Sequence, residues 1–413
     1  MILPRFLRFP TDIPDDLRHN FIHLLFDIGW WGLYVGTTAA FLPIYAARSG
    51  ASNTQIGLLS AVPALVALTL SLPAGRVLKR FPARPATAAA AFISRLLLVI
   101  FALIPWLLPP SLQVRSILIL AVIIAVPSTF VGISFGQFFM EGVPIGWRGT
   151  VVGARNAIMS VTSFAVTIAS GQILTRLPFP FGYQVVFFIG FIGAVMTSYH
   201  IWHVRPISVP SVLEPVAQPA QPAGRSIARH RIGPAEISYL KVIGLLFLFN
   251  LTNNMVAPLL PDLLVHKLGL NDATISLGTG LANMLVFTIS LFIARLTRRA
   301  GNRRATALGA ALLAFHAFAL AFARDASIYL LSAVVGGIAS GVLGTAQYNY
   351  HLDSVPDEGR ATWLSWNYLL GNAAVLLGAL AGPAAAHLTG TPTALIGFGA
   401  LRFLFGAAIF LWG

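Results

Sequence analysis

A chain of 413 residues with only 10% Asp, Glu, Lys and Arg, and 57% hydrophobic residues, cannot cover the two or three water-soluble domains its length would otherwise make. Its formal net charge of +14 does not mark a nucleic-acid binder, because the basic residues punctuate long apolar segments and form no separate basic domain interleaved with aromatic residues. The absence of cysteine excludes disulfides and thiolate metal sites.

In chain order, the opening MILPRFLRFPTDIPDDLRHN places Pro and Asp where a secretory signal needs an apolar stretch, so the first apolar segment is expected to be retained. The pattern predicts twelve helices, over 21–47, 53–78, 86–108, 112–138, 148–176, 180–204, 240–266, 271–296, 302–323, 327–351, 359–388 and 391–412. Most carry the ~20 apolar residues that a helix needs to cross roughly 30 Å of hydrocarbon. Closed barrels would instead show short alternating segments. The expected fold class is therefore an all-α polytopic membrane protein of two six-helix bundles. The domains expected are an N-terminal half over 1–204, a flexible Pro-, Ala- and Gln-rich linker over 205–238, and a C-terminal half over 239–413.

Polar residues inside spanning helices are costly and face a protein interior or a water-filled cavity. In the first helix Asp27, Trp31, Tyr34 and Thr38 follow spacings that share one face, where a carboxylate beside aromatic rings suits a cation or a proton. The alternative is a structural pair with an arginine. The second helix ends in GRVLKRFPARP, with Arg80 and Arg84, and the third carries Arg95, for which a structural role is expected. The fourth presents Ser134, Gln137 and Glu141 on one face. The fifth follows Arg148 and holds Arg155 about 10 Å deeper, so Arg155 either neutralises Asp27 or meets an anionic solute group.

In the seventh helix Asn250, Asn253 and Asn254 precede Pro258 and Pro261, which predicts a bend lining a cavity. The eighth ends in ARLTRRAGNRR, with Arg299 and Arg303. The tenth carries Asn349 and Asp353, Arg360 precedes the eleventh, and WLSWNYLLGN places Trp363 and Asn367 on one face as candidate solute contacts. Gly32/Gly36, Gly132/Gly136, Gly337/Gly341 and Gly378/Gly382 have the G-x-x-x-G spacing of close helix packing.

The halves repeat. ASNTQIG from Ala51 aligns with LNDATIS from Leu270, and EGVPIGWRGT from Glu141 aligns with DSVPDEGRAT from Asp353, in the same order and at nearly the same separation. One face of the membrane carries Arg5, Arg8, Arg18, Arg76, Lys79, Arg80, Arg84, Arg148, Arg205, the linker arginines and the 295–304 cluster. The other holds only Arg48, Arg115, Arg176, Lys267 and Arg324, so both termini and the linker are expected on the cytoplasmic side of the cell membrane.

Twelve helices, the long middle loop and basic clusters after the second and eighth helices resemble the major facilitator superfamily. Its signature G-x-x-x-D-R/K-x-G-R-R/K is matched by Gly75, Arg80 and Arg84 in one copy and by Arg299, Gly301 and Arg303 in the other. The family aspartate is Lys79 in the first copy and Arg298 in the second. The resemblance implies a secondary transporter working by alternating access, with a solute held between the halves. It also implies a cytoplasmic gate of Arg80, Arg84, Glu141, Arg148, Arg299, Arg303, Asp353 and Arg360, in which Glu141 would pair with Arg80 or Arg84, and Asp353 with Arg299 or Arg303. The expected path residues are Asp27, Trp31, Tyr34, Gln137, Arg155, Asn250, Asn254, Asn349, Trp363 and Asn367.

No phosphate loop, H-E-x-x-H or catalytic His–acid constellation is present, so no enzyme, cofactor or metal is expected. The expected partners are a small-molecule solute, protons as an open alternative, and the bilayer around a monomer. Efflux and uptake, and a scaffold or sensor without transport, stay open.

Overall fold

A computed structural model describes residues 15–207 and 233–412. The described chain is helical, in twelve rods. The first runs through α1 (Asp15–Tyr34), a π turn (Val35–Ala39) and α2 (Ala40–Arg48). Then follow α3 (Asn53–Leu78), α4 (Ala83–Leu96) with α5 (Val99–Leu107), α6 (Pro110–Gly142), α7 (Ile145–Arg176) and α8 (Phe181–His203). The next rod is α9 (Pro234–Val256), a 3-10 turn (Ala257–Leu259), α10 (Leu260–Asp262) and a π turn (Leu263–Lys267). The last five are α11 (Asp272–Ala300), α12 (Asn302–Ala321), α13 (Ala326–Ser354), α14 (Arg360–Thr389) and α15 (Thr391–Trp412). Eleven described helices are long and apolar enough to cross a membrane. The first rod falls outside that set. The molecule is an all-α polytopic membrane protein.

Local chemistry explains the boundaries. Ser52 caps α3 through a reciprocal box, its hydroxyl accepting from Gln55 N–H while the Gln55 side chain accepts from Ser52 N–H. Asp325 accepts from two amides at the start of α13. α9 takes in the last five residues of the stretch expected as linker, starting at Pro234, and the Glu236 carboxylate accepts from Gly233 N–H at 2.7 Å. The rest of that linker, from 208 to 232, lies outside the described residues. The expected bend at Pro258 and Pro261 is present as the irregular segment between Val256 and Leu268, because each proline removes a ladder donor. In the π turn of the first rod, Thr37 donates its hydroxyl to Leu33 O at 2.5 Å.

The chain divides into two compact units. The first comprises Met1–Ser208 together with Pro261–Phe287, and the second comprises Val209–Leu260 with Thr288–Gly413. In the first, α1 lies against α7 and α8, α3 against α6, and α4 against α6 and α8. Leu24, Phe21, Ala91, Phe138, Val151 and Ile201 form the core there. In the second, α12 packs on α13 and α15, and α9 on α14 and α15, around Phe249, Ala310, Ala339 and Ile409.

Because hydrocarbon tails are as apolar as leucine, such packing depends on close van der Waals approach. A Cβ on Gly36 would sit 2.7 Å from Ser163 O, and one on Gly378 would sit 2.6 Å from Leu251 O. Two of the G-x-x-x-G pairs therefore hold helices together, while Gly132 and Gly136 face open space. Trp106, Leu388 and Leu411 stand exposed on the outside, as lipid-facing residues do.

Candidate functional site

Within the first unit, the polar face of α1 turns inward. Arg155 on α7 donates to Asp27 Oδ2 at 2.8 Å and to Leu24 O at 2.6 Å, with both side chains buried. A buried charge is tolerable only when paired and hydrogen-bonded, and this pair meets both conditions. Of the two roles open to Arg155, neutralising Asp27 is the one the geometry presents. Trp31 and Tyr34 stack beside it with ring centroids 4.6 Å apart. Arg95 of α4 joins the same cluster. It donates to Ser198 Oγ at 3.1 Å, and its guanidinium lies 5.2 Å from the Trp31 ring centroid. The Phe135 ring covers Arg155 at 5.4 Å. The Asp27–Arg155 pair is thus accompanied by a second arginine, with aromatic rings set against both guanidinium groups.

A second polar cluster in this unit joins residues distant in sequence. Arg48, at the end of α2, donates to Asp272 Oδ1 through Nη2 at 3.0 Å and Nε at 3.2 Å, and Nη2 also reaches Leu270 O at 3.1 Å. Tyr183 donates its hydroxyl to the same Asp272 oxygen at 2.7 Å. Asp272 is the first residue of α11, where the helix end favours an anion. A cavity of about 660 Å³ opens on this cluster, and His266 and Asn271 also line it. Sequence reasoning passed over all three partners. Arg48 read as a loop charge, and only the folded chain brings Asp272 to it.

In the second unit, a cavity of about 380 Å³ is lined by Asn253, Ser340, Gln347, Tyr348, His351 and Asn367, with Phe249, Leu313 and Leu343 supplying apolar walls. Asn367 was an expected site residue. Asn250 and Asn254 were too, but their amides donate to Leu246 O and Asn250 O on their own helix, each at 2.8 Å, and neither lines the cavity. Asn349 is half-buried on α13 outside the cavity lining, where Gln347 is found instead. Trp363 packs edge-on against Tyr239 at 5.3 Å, and Tyr239 OH lies 2.8 Å from His351 Nε2. Trp363 thereby backs His351 without lining the cavity.

Behind this cavity stands Arg402 of α15, fully buried. It donates to Leu313 O and Asn253 O, both at 3.0 Å, and its Nε has no partner. Among the described residues it makes no ion pair. It clamps two cavity-lining residues by their carbonyls.

The expected gate residues lie at helix ends. Gln137, exposed, donates to Glu141 Oε1 at 2.9 Å on its own helix, and Glu141 makes no ion pair with Arg80 or Arg84. In this conformation Arg84 turns to Trp202 O, at 3.0 and 2.7 Å, where the end of α8 leaves carbonyls without helical partners. Arg80 is exposed past the end of α3. Arg148 donates to Val143 O and Met140 O, closing the end of α6. Asp353 accepts from the Asn302 amide at 2.6 Å, Arg299 and Arg303 are exposed around the α11–α12 turn, and Arg360 pairs with Asp357 at 3.3 Å.

Compared with known proteins, residues 242–413 match the model of the Major Facilitator Superfamily. No curated protein matches the sequence. Among solved structures, the inward open xylose transporter XylE from E. coli shares 15% identity, covers 96% of this chain and 95% of its own, and superposes with a TM-score of 0.70. A POT family transporter in complex with a thioalcohol-conjugated peptide shares 12% identity over 95% of each chain, with a TM-score of 0.71. The nucleoside transporter NupG shares 14% identity over 95% of this chain and 99% of its own, with a TM-score of 0.65. At such identities the likeness is one of fold.

Proposed function

We propose that this chain, whose residues 242–413 match the Major Facilitator Superfamily model and whose fold is like that of solved transporters, moves a small neutral polar solute across the cell membrane by alternating access. The observation that carries the solute class is the cavity of the second unit. Its polar lining, Asn253, Ser340, Gln347, Tyr348, His351 and Asn367, contains amides, hydroxyls and an imidazole but no carboxylate or ammonium. Such a wall suits a hydroxyl- or amide-bearing molecule with an apolar face for Phe249 and Leu343. The structural neighbours include a xylose transporter, a nucleoside transporter and a peptide-bound POT family transporter, and the solutes of the first two fit this chemistry.

In this reading the Asp27–Arg155 pair is the coupling element. Protonation of Asp27 would release Arg155, and a rearrangement of α1 against α7 would follow. Efflux is the favoured direction, with the chain working as a monomer and both termini in the cytoplasm.

Thermal-shift screening of the purified protein against sugars, nucleosides, organic anions and organic cations tests the solute class, since selective binding to the folded state raises apparent stability. A neutral polar hit should fuel counterflow in proteoliposomes, and Asn367→Ala should raise KM by about tenfold, the loss of one or two hydrogen bonds to the solute. Hits confined to cations would sink the proposal. Asp27→Asn should abolish accumulation driven by a proton gradient while exchange persists, and full accumulation in that variant would remove Asp27 from the coupling role.

A further inference from the structure

On α1 the stretch HNFIHLLFD sets His19, His23 and the buried Asp27 at i, i+4 and i+8. At roughly 3.6 residues per turn the three share one stripe of the helix, each step about 6 Å deeper than the last. His200 and His203, in the last turn of α8, stand beside that stripe. His23 Nδ1 lies 2.9 Å from His200 Nδ1. The His23 ring is 4.5 Å from that of His19 and 5.2 Å from those of both His200 and His203, centroid to centroid. Burial deepens along the file: His19, His23 and His203 are partly exposed, His200 is 9% exposed and Asp27 is 3% exposed. Imidazoles thus lead from the surface towards the carboxylate, and none of them lines the solute cavity.

Imidazole carries protons well because it can accept at one ring nitrogen while releasing from the other. Between His23 and His200 one Nδ1 donates and the other accepts, so a proton already sits between the two rings. Nearer the surface, His203 Nδ1 is 2.8 Å from Tyr199 O, and His19 Nε2 is 3.0 Å from His203 O. A carbonyl only accepts, so those nitrogens keep their protons, and His203 Nε2 and His19 Nδ1 are left as bases at the mouth of the file. The charged groups around the rings are Arg205 after α8, Arg84 and Arg95 on α4, and Arg155 on α7, with Asp27 at the inner end. Asp15, Asp16 and Arg18 precede His19 in the chain. Asp27 Oδ2 is held by Arg155, while Oδ1 accepts no hydrogen bond among the described residues and is open to a proton. No hydrogen bond joins His200 to Asp27, but the two side chains are close enough for their charges to interact.

We propose that this histidine file is the route by which the proton of Asp27 reaches the cytoplasmic side, an inference that rests on the coupling role proposed above for Asp27. The protonated carboxyl gives its proton, through one bridging water, to Nε2 of His200. His200 passes the proton on its Nδ1 to Nδ1 of His23, and His23 releases the one on its Nε2 to solvent or to the bases of His203 and His19. One proton enters the file and one leaves it. Asp27 ends as the carboxylate beside Arg155, and both rings end neutral. Proton-driven efflux and proton-driven uptake both discharge the proton into the cytoplasm, so the route serves either direction of solute movement.

The test is time-resolved infrared spectroscopy of the purified full-length protein after a pH jump. Its probe is the carbonyl stretch of protonated Asp27, identified by its loss in Asp27→Asn. In His23→Asn and His200→Asn the amide retains hydrogen-bonding capacity between the helices but cannot relay a proton. Each should slow the appearance and decay of the band by about 100-fold, with the melting temperature kept. Added imidazole should restore part of the rate in His23→Asn, where the missing ring is only partly buried. His266→Asn and His387→Asn should leave the rate unchanged. Wild-type rates in both His23→Asn and His200→Asn would overturn the route and leave Asp27 as the coupling residue. Slowing that imidazole does not relieve would also overturn it, reducing the cluster to a packing seam between α1 and α8. A spectrum with no band that Asp27→Asn removes would overturn the coupling role and the route together.

Discussion

Asp27 and Arg155 show how much a single residue pair decides. With one partner removed, the other is a lone buried charge, a change that costs about 3–5 kcal/mol where such pairs have been broken, whereas replacing both with apolar groups is far milder. Asp27→Leu should therefore lower the melting temperature markedly, and Asp27→Leu/Arg155→Met should recover most of the loss. Equal destabilisation of the single and double variants, measured by thermal unfolding in detergent, would show that the pair adds nothing as a pair. These two residues were legible in the sequence because a charge inside an apolar run stands out. Arg48, Tyr183 and Asp272 were not, since their contacts span up to 224 positions in the chain and no local pattern announces them. Gln347 was missed for a different reason. Aligning the halves pointed to Asn349, and a displacement of two residues on a helix turns a side chain by roughly 200° to the opposite face.

At the level of the elements, hydropathy located all twelve rods, because the bilayer demands long uninterrupted apolar helices and leaves few alternatives. What it could not locate were the irregular turns within rods. The π turn at Val35–Ala39 leaves no mark in apolar spacing. The glycine spacings were visible, but which of them make contacts was not, since spacing carries no information about the neighbouring helix. Gly36→Leu should be severely destabilising, well beyond the ~1–3 kcal/mol of ordinary overpacking, because the added side chain meets the α7 backbone. Gly132→Leu meets open space and should stay within about 1 kcal/mol of wild type. Melting curves of the two variants that coincide would refute this division.

For the whole molecule, the lack of cysteine allows its placement in the membrane to be measured directly. Single cysteines introduced within 209–232 should react with an impermeant maleimide only when the reagent reaches the cytoplasmic face. Cysteines placed beside Arg115 or Arg324 should react only from the opposite face. Exchange of the two labelling patterns would reverse the orientation derived from Lys and Arg. The fold was readable at this scale, since composition and hydropathy suffice for a membrane bundle. The solute was not, because the cavity lining is a product of packing and its residues are scattered from Leu246 to Asn367.

The Arg402 guanidinium bears on what this bundle will refuse. It is a permanent positive charge set in a low-permittivity interior, balanced by carbonyl dipoles rather than by an anion. Field lines from such a charge are weakly screened, so the space beside Asn253 and Leu313 sits at a positive potential whatever solute approaches. Under the proposed transport role, this charge would oppose organic cations at the cavity and so impose a charge selectivity without touching the solute.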